Sequence, residues 1–185
     1  MKRRYPFWRN ISICCLLCVA CCLYLCGCGY TTRGFLYEED EIVIIPVVNK
    51  INITSEGRRF SQYTTFPILL EKQLTNALIN KFNIDGHLKV TRRKEEALEL
   101  LCTITDYRRE TLRYTDSDDV KEQRLRLHVH MKLSDFDGEI LQEKNVVGET
   151  EFFLSGPHSK SEAAAQVELV DDAARRIVEA VIEEW

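Results

Sequence analysis

The sequence predicts an α+β fold in which two helices pack on one face of a mixed sheet of about four strands. Two long segments alternate between apolar and polar residues, which is typical of half-buried strands. Two other segments carry apolar residues at helical spacing. The resulting order of strand, helix, three or four strands and helix fits a sandwich of helices on a sheet.

The first strand and the first helix lie in the N-terminal half of the chain. Residues 41–48 (EIVIIPVV) are nearly all apolar, which predicts a strand buried on both faces, and Pro46 predicts that it ends near Ile45. A polar loop follows, and residues 65–82 have a helical period. The apolar face of this helix comprises Phe66, Leu70, Leu74, Ala77, Leu78 and Phe82. Residues 87–92 alternate as a short strand.

Three long strands complete the predicted sheet. In residues 98–114, we expect Leu98, Leu100, Cys102 and Ile104 to face the core, with Glu99, Thr103, Thr105, Tyr107 and Arg109 on the opposite side. In residues 123–135, the apolar residues alternate at Leu125, Leu127, Val129, Met131 and Leu133. Asp137-Gly138 predicts a hairpin turn into a third strand over residues 140–153.

A second amphipathic helix is predicted at the C-terminus. Ser159 and Glu162 have the spacing of a capping box. An apolar stripe then runs through Val167, Val170, Ala174, Ile177, Val178, Val181, Ile182 and Trp185.

The N-terminal segment predicts export and lipid anchoring. A basic start precedes an apolar run that is short for a bilayer span, and Leu25-Cys26-Gly27-Cys28 has the pattern of a lipoprotein cleavage site. The alternative, an uncleaved anchor, is disfavoured by the small residues before Cys28 and the polar chain after it. The predicted organisation is a signal peptide over 1–27, lipid attachment at Cys28, a lead-in over 28–40 and a single α+β domain over 41–185.

Charge and cysteine usage exclude several classes of protein. Without residues 1–27 the chain has 21 basic and 29 acidic residues, a net charge of −8, which excludes general nucleic-acid binding. Only Cys102 lies beyond Cys28, so no disulfide is expected within the domain. The apolar neighbours of Cys102 indicate a buried small hydrophobe and not a reactive thiol.

No catalytic motif is found, so we predict that the protein is not an enzyme. There is no glycine-rich phosphate loop and no Gly-x-Ser-x-Gly sequence. His128 and His130 would project from the same strand face, as metal ligands can, but cationic neighbours make a metal site the weaker interpretation. We expect no metal and no cofactor other than the diacylglycerol and N-acyl chain on Cys28.

One constellation is a candidate binding site. Alternate residues of the second long strand form a row that we name the cationic strip: Arg124, Arg126, His128, His130 and Lys132. Such a row could bind phosphates or sugar acids, as expected of an anionic-lipid site. The alternative is a solvated face whose cations pair with acidic neighbours such as Glu99 and Glu143.

The chain resembles the LptE family of lipopolysaccharide-assembly lipoproteins. The similar segments are Cys28-Gly29-Tyr30, residues 44–49 (IIPVVN), residues 70–82 with LTNALI, residues 135–141 (DFDGEIL), Gly148-Glu149, and the last helix with Asp171-Asp172-Ala173-Ala174 and Ile177-Val178. They are spread over the whole chain from Cys28 onwards. One departure is the acidic loop Asp116-Ser117-Asp118-Asp119, which would be a poor surface for an anionic lipid.

This resemblance implies a lipid-anchored protein on the periplasmic side of the outer membrane. It further implies a plug in the large β-barrel of the lipopolysaccharide translocon (an LptD-like partner), help in assembling that barrel, and binding of lipopolysaccharide. The alternative function is a periplasmic scaffold or binding lipoprotein of another envelope complex.

Overall fold

The computed structural model describes residues 40–51, 69–93, 96–116 and 119–182, which all belong to one compact unit over residues 36–185. The elements in chain order are β1 (Glu41–Ile44), β2 (Val48–Asn49), α1 (Leu70–Asp85), β3 (Lys89–Val90), β4 (Leu98–Tyr114), β5 (Val120–Ser134), β6 (Ile140–Phe153) and α2 (Glu162–Ile182). Neither described helix is long and apolar enough to cross a bilayer.

The strands form one mixed sheet in the order β3-β1-β4-β5-β6, with β2 paired to β4. β1 and β2 are both parallel to β4, and β4, β5 and β6 form an antiparallel meander. The α+β prediction is therefore confirmed, although the sheet has six strands and not about four. The difference lies in two-residue strands: β3 is very short, and β2 resumes the pairing along β4 after Pro46 interrupts it.

Both helices cover the same face of the sheet. The side of β5 that faces them consists of the predicted apolar residues Leu125, Leu127, Val129, Met131 and Leu133, all buried. α1 buries Leu70, Leu74, Leu78 and Phe82, as its period predicts, and continues three residues past Phe82. The predicted start of this helix, residues 65–68, lies outside the described residues. Gly86 ends α1 with a positive φ of 76°, and its N–H donates to the Phe82 carbonyl.

The apolar stripe of α2 differs from the prediction at several positions. Val167 is 65% exposed, whereas Leu169 and Ala173, which the prediction omits, are fully buried. The cap also differs, because Ser161 accepts the Ala164 N–H at 3.2 Å, while Ser159 forms a bridge with Phe153. The residue that begins the helix is thus two positions later than the capping-box spacing suggests.

A β-bulge in β4 overturns the predicted orientation of Tyr107 and Arg109. Ile104 is opposite Val129, but Asp106 is opposite His128, so Thr105 is an extra residue on β4. From that point the alternation is reversed. Tyr107 is 1% exposed on the helix side, and Arg109 reaches Glu162 at the start of α2.

Helix α2 approaches β6 most closely at Gly148. A Cβ atom at this position would lie 2.6 Å from the Cβ of Ala173 and 2.8 Å from its backbone. The absence of a side chain at residue 148 therefore determines how near α2 lies to the sheet.

Candidate functional site on the open face of the sheet

The cationic strip runs along β5 on the sheet face that carries no described helix. Because β5 alternates, its apolar residues point to the helices and the strip residues point away. β5 lies between β4 and β6, so each strip residue has a neighbour on both sides. The prediction that all five residues share one face is confirmed by the register.

Acidic residues flank the N-terminal half of the strip. Arg124 lies opposite Glu110 on β4 and Glu151 on β6, and Arg126 lies opposite Glu149 on β6. Arg124 Nε donates to Glu151 Oε1 at 2.9 Å, and its Nη2 contacts the same oxygen. This hydrogen bond, together with the nearby negative charge, raises the pKa of Arg124 above its ordinary value.

Arg126 connects the three strands. Its Nη1 donates to Glu110 Oε1 at 2.9 Å, and its Nε lies 3.5 Å from Glu149 Oε2. Glu149 also lies 3.8 Å from Arg176 of α2. Arg126 is therefore held by carboxylates from both neighbouring strands.

Asp172 of α2 binds the outer edge of β6 near these ion pairs. Its Oδ2 accepts the Glu149 N–H at 2.9 Å and lies 2.8 Å from Arg176 Nε. Burial alone would raise the pKa of Asp172, but the Glu149 N–H and the two neighbouring guanidinium groups, Arg175 and Arg176, lower it below its ordinary value. A chain of ion pairs thus extends from α2 around the sheet edge to β4.

The histidines of the strip have different surroundings. His130 Nε2 lies 2.9 Å from Glu143 Oε1, and its Nδ1 lies 3.1 Å from Asn145 Oδ1. His128 Nε2 is buried and has no hydrogen-bond partner among the residues that the structure describes. Within the described chain no group of three or more His, Cys, Asp or Glu residues is arranged to hold a metal ion.

Ion pairing changes what the strip offers to a ligand. Arg124, Arg126 and His130 each contact a glutamate, whereas no ion pair of Lys132 is found in the described part of the chain. An anionic ligand would therefore replace existing carboxylate partners at the arginines. The sequence identified Glu143 as a partner of the strip, but Glu110, Glu149 and Glu151 were missed because the strand register was unknown. The alternation Glu149-Thr150-Glu151 was the one available indication that two carboxylates share a face of β6.

The remaining predicted site residues lie elsewhere. Cys102 is 1% exposed on the helix side, and burial raises the pKa of its thiol to about 12, so the interpretation as a buried hydrophobe is confirmed. Cys28 lies outside the described residues, so its lipidation stays a prediction.

A groove of about 470 Å³ lies between the outer surfaces of α1 and α2. Asn76, Asn80 and Val167 line it, and Lys81 pairs with Asp171 across it at 2.9 Å. The charged groups in the groove are already paired, so it offers less to an anionic ligand than the sheet face.

Comparison with known proteins identifies the family. The family model LptE, described as lipopolysaccharide-assembly, matches residues 58–181, which is about two thirds of the chain. The chain belongs to the LptE family. The matched residues contain α1, β3 to β6 and nearly all of α2, so the family assignment covers most of the described fold. The resemblance inferred from the sequence is confirmed.

Solved structures of lipoproteins are also similar to the chain. Rare lipoprotein B from Shewanella oneidensis is 14% identical, with a TM-score of 0.44 over 75% of this chain and 92% of that one. A minor lipoprotein from Acinetobacter baumannii is 16% identical, with a TM-score of 0.45 over 77% and 92%. These values are too low to support a functional argument. A comparison with curated protein sequences gives no match.

Proposed function

We propose that this LptE-family protein is a lipoprotein of the outer membrane, anchored by acyl chains on Cys28, that plugs and helps assemble the β-barrel translocon for lipopolysaccharide. The observation that carries the proposal is the family match over residues 58–181. The lipoprotein cleavage pattern ending at Cys28 supports the anchor and the periplasmic location. The proposed role is structural and non-enzymatic.

The anchor and the barrel partner are tested in one experiment. Cys28→Ala should abolish incorporation of labelled fatty acid, whereas Cys102→Ala, which changes the other cysteine beyond the predicted leader, should leave it unchanged. The lipidated protein should co-purify with a large outer-membrane β-barrel after mild detergent extraction. A protein that carries its lipid but runs alone under these conditions would contradict the barrel role.

Direct binding of lipopolysaccharide through the cationic strip is the finer part of the proposal. The two arginines are adjacent on the open face and can form bidentate contacts with phosphate groups. Their present partners, Glu149 and Glu151, occupy the same donors. We therefore infer that lipid phosphates bind by exchange with these glutamates.

Exchange predicts effects of opposite sign. Arg124→Glu with Arg126→Glu should weaken lipopolysaccharide binding roughly tenfold, because two charge-assisted contacts are lost. Glu149→Gln with Glu151→Gln should strengthen binding, because the arginines lose their competitors. Arg92→Glu with Arg93→Glu, two exposed residues after β3, is the control with the same change in charge. An Arg124→Glu/Arg126→Glu variant that weakens binding no more than the Arg92→Glu/Arg93→Glu control would remove the strip from the proposal.

A scaffold for another envelope complex is the second candidate function. It is favoured by the acidic β4–β5 loop, which includes Asp116 and Asp119, and by the ion pairing of the strip, since both reduce attraction for an anionic lipid. Crosslinking in cells from a residue introduced at Tyr114, beside this loop, would identify the neighbour. A barrel crosslink supports the first function, and a different envelope protein supports the second.

A further inference from the structure

The start of the described chain and the β5–β6 turn lie at the same end of the sheet. In the register, Ile42 is opposite Leu98 and Glu99 is opposite Ser134, which directly precedes the turn. We name this end the proximal end; it comprises Asp40 and residues 135–141. The distal end is the β4–β5 hairpin end, where Tyr114 pairs with Val120.

The proximal end exposes large apolar side chains. Phe136 is 54% exposed, Ile140 is 49% exposed and Leu141 is 38% exposed. The turn that carries Phe136 is closed by two hydrogen bonds: Asp135 Oδ1 accepts the Glu139 N–H at 2.8 Å, and the Asp135 N–H donates to the Glu139 carbonyl at 3.0 Å. Phe136 is thus held in solvent by a fixed turn, as is typical of an interaction surface.

We propose that the proximal end contacts the lipid bilayer when the protein is anchored through Cys28 and has not yet entered the barrel. This inference rests on the proposed lipidation. Asp40 is twelve positions after Cys28, and even fully extended this segment reaches about 40 Å. β4 runs from Leu98 to Tyr114 and covers about 53 Å. A domain that stands upright on the bilayer outside the barrel can therefore bring its proximal end to the membrane but not its distal end.

The negative charge of the turn determines which lipid headgroups it can contact without repulsion. Asp135, Asp137 and Glu139 surround Phe136 in sequence, so a strongly anionic surface would repel the turn. A neutral, zwitterionic surface accepts the apolar side chains without that repulsion. A second copy of this chain fits less well, because a two-fold contact would bring the same three carboxylates together.

Depth-dependent fluorescence quenching tests the orientation. The lipidated protein is placed in phosphatidylcholine vesicles whose acyl chains carry bromine, with Phe136→Trp or with Tyr114→Trp. Tyr114 is the matched control because it is 60% exposed at the distal end. The signal of the parent protein, which retains Trp185, is subtracted. The tryptophan at 136 should be quenched at least about twofold more than the tryptophan at 114, since only the proximal end enters the interface.

Equal quenching at both positions, or no quenching at either, would overturn the inference, because the domain would then lie flat or stay clear of the lipid. Replacing a third of the lipid by phosphatidylglycerol should reduce quenching at position 136; an increase would contradict the role given to the acidic turn. Mass spectrometry of the same sample separates the two proposals. Acyl chains on Cys28 without a difference in quenching refute only the orientation, whereas an unmodified Cys28 refutes the anchor and, with it, the inference.

Discussion

The two faces of β5 are built from alternate residues of one strand but are stabilised in different ways. The helix side consists of apolar residues that are at most 1% exposed. The open side carries cations whose carboxylate partners come from both neighbouring strands. Burial of apolar surface is the larger contribution to folding, and exposed ion pairs contribute little. The helix side of β5 therefore determines the fold, while the residues of the open side can change their ion-pair partners with a small loss of stability.

The strongest test of this difference is Leu127→Ala. Leu127 is fully buried between β5 and the helices. Its truncation should lower the free energy of unfolding by about 3 kcal/mol, because transfer free energy is lost and a cavity remains. Urea unfolding followed by circular dichroism measures the change. If Leu127→Ala lowered the free energy of unfolding less than Arg126→Ala does, the proposed difference between the two faces would be contradicted.

Gly148→Ala probes the contact between α2 and the sheet. The new Cβ would lie 2.6 Å from the Ala173 Cβ and 2.8 Å from the backbone of the same residue, so the helix must shift. We expect a loss of about 2 kcal/mol from overpacking. Adding Ala173→Gly should restore only part of this loss, since the backbone contact persists. If Gly148→Ala unfolded with the same free energy as the unchanged protein, α2 would have to be free to move away from the sheet.

Thr75→Val tests the hydrogen bond that joins α1 to the sheet. The Thr75 hydroxyl donates to the Glu71 carbonyl at 2.7 Å and accepts the Val47 N–H at 3.0 Å. The valine has the same shape but leaves the Val47 N–H unsatisfied, so we expect a loss of about 1.5 kcal/mol. Thr105→Val on the open face should cost less, because its hydroxyl bond to the His128 carbonyl is exposed. Thermal or urea unfolding compares the two variants.

Asp172 links the two faces and gives a pH dependence. Its pKa is lower in the folded protein than the ordinary value of 3.8, so it stabilises the fold above pH 4 and loses this contribution as the pH falls through the lowered pKa. Asp172→Asn should therefore destabilise the protein by about 1 kcal/mol at pH 7. The difference from the unchanged protein should shrink below pH 4. Urea unfolding between pH 3 and 7 measures it, and a difference that grows in acid would contradict this assignment.

Arg126→Ala should have the smallest effect. Arg126 is about one third exposed and its ion pairs face solvent. We expect a loss of about 0.5 kcal/mol, reduced further by salt. Unfolding in low and high salt measures it. If Arg126→Ala lowered the free energy of unfolding more than Thr75→Val does, the open face would have to contribute to stability as the core does.

Much of the fold follows from periodicity alone. The bounds of β6 and the buried residues of β5 agree with the alternation in the sequence. The bulge at Thr105 could not be predicted, because one added residue leaves no local signal and its effect depends on pairing with β5. The same limit applies to the strip: the shared face of its residues follows from a period of two, but partners such as Glu110 depend on register.

The orientation of α2 shows a second limit. Val167 has the spacing of the apolar stripe, yet it is exposed, while Ala173 is buried against Gly148. Alanine contributes little to a hydrophobic pattern because its side chain is small. Ala173 is a core residue only because the sheet approaches α2 closely at this point. Shape complementarity between two small residues is a property of the assembled pair and is not encoded in either segment by itself.

The alternation of charge across β4, β5 and β6 has a kinetic consequence. Glu110, Glu149 and Glu151 lie on strands about 4.8 Å from the strip arginines, so these opposite charges largely cancel for a molecule further away than that spacing. A distant anion therefore senses the net charge of the chain without residues 1–27, −8, and is repelled before it meets the strip. Attraction begins only on contact. Association of an anionic ligand should accordingly be slow at low ionic strength and become faster as salt screens the repulsion, the reverse of electrostatic steering.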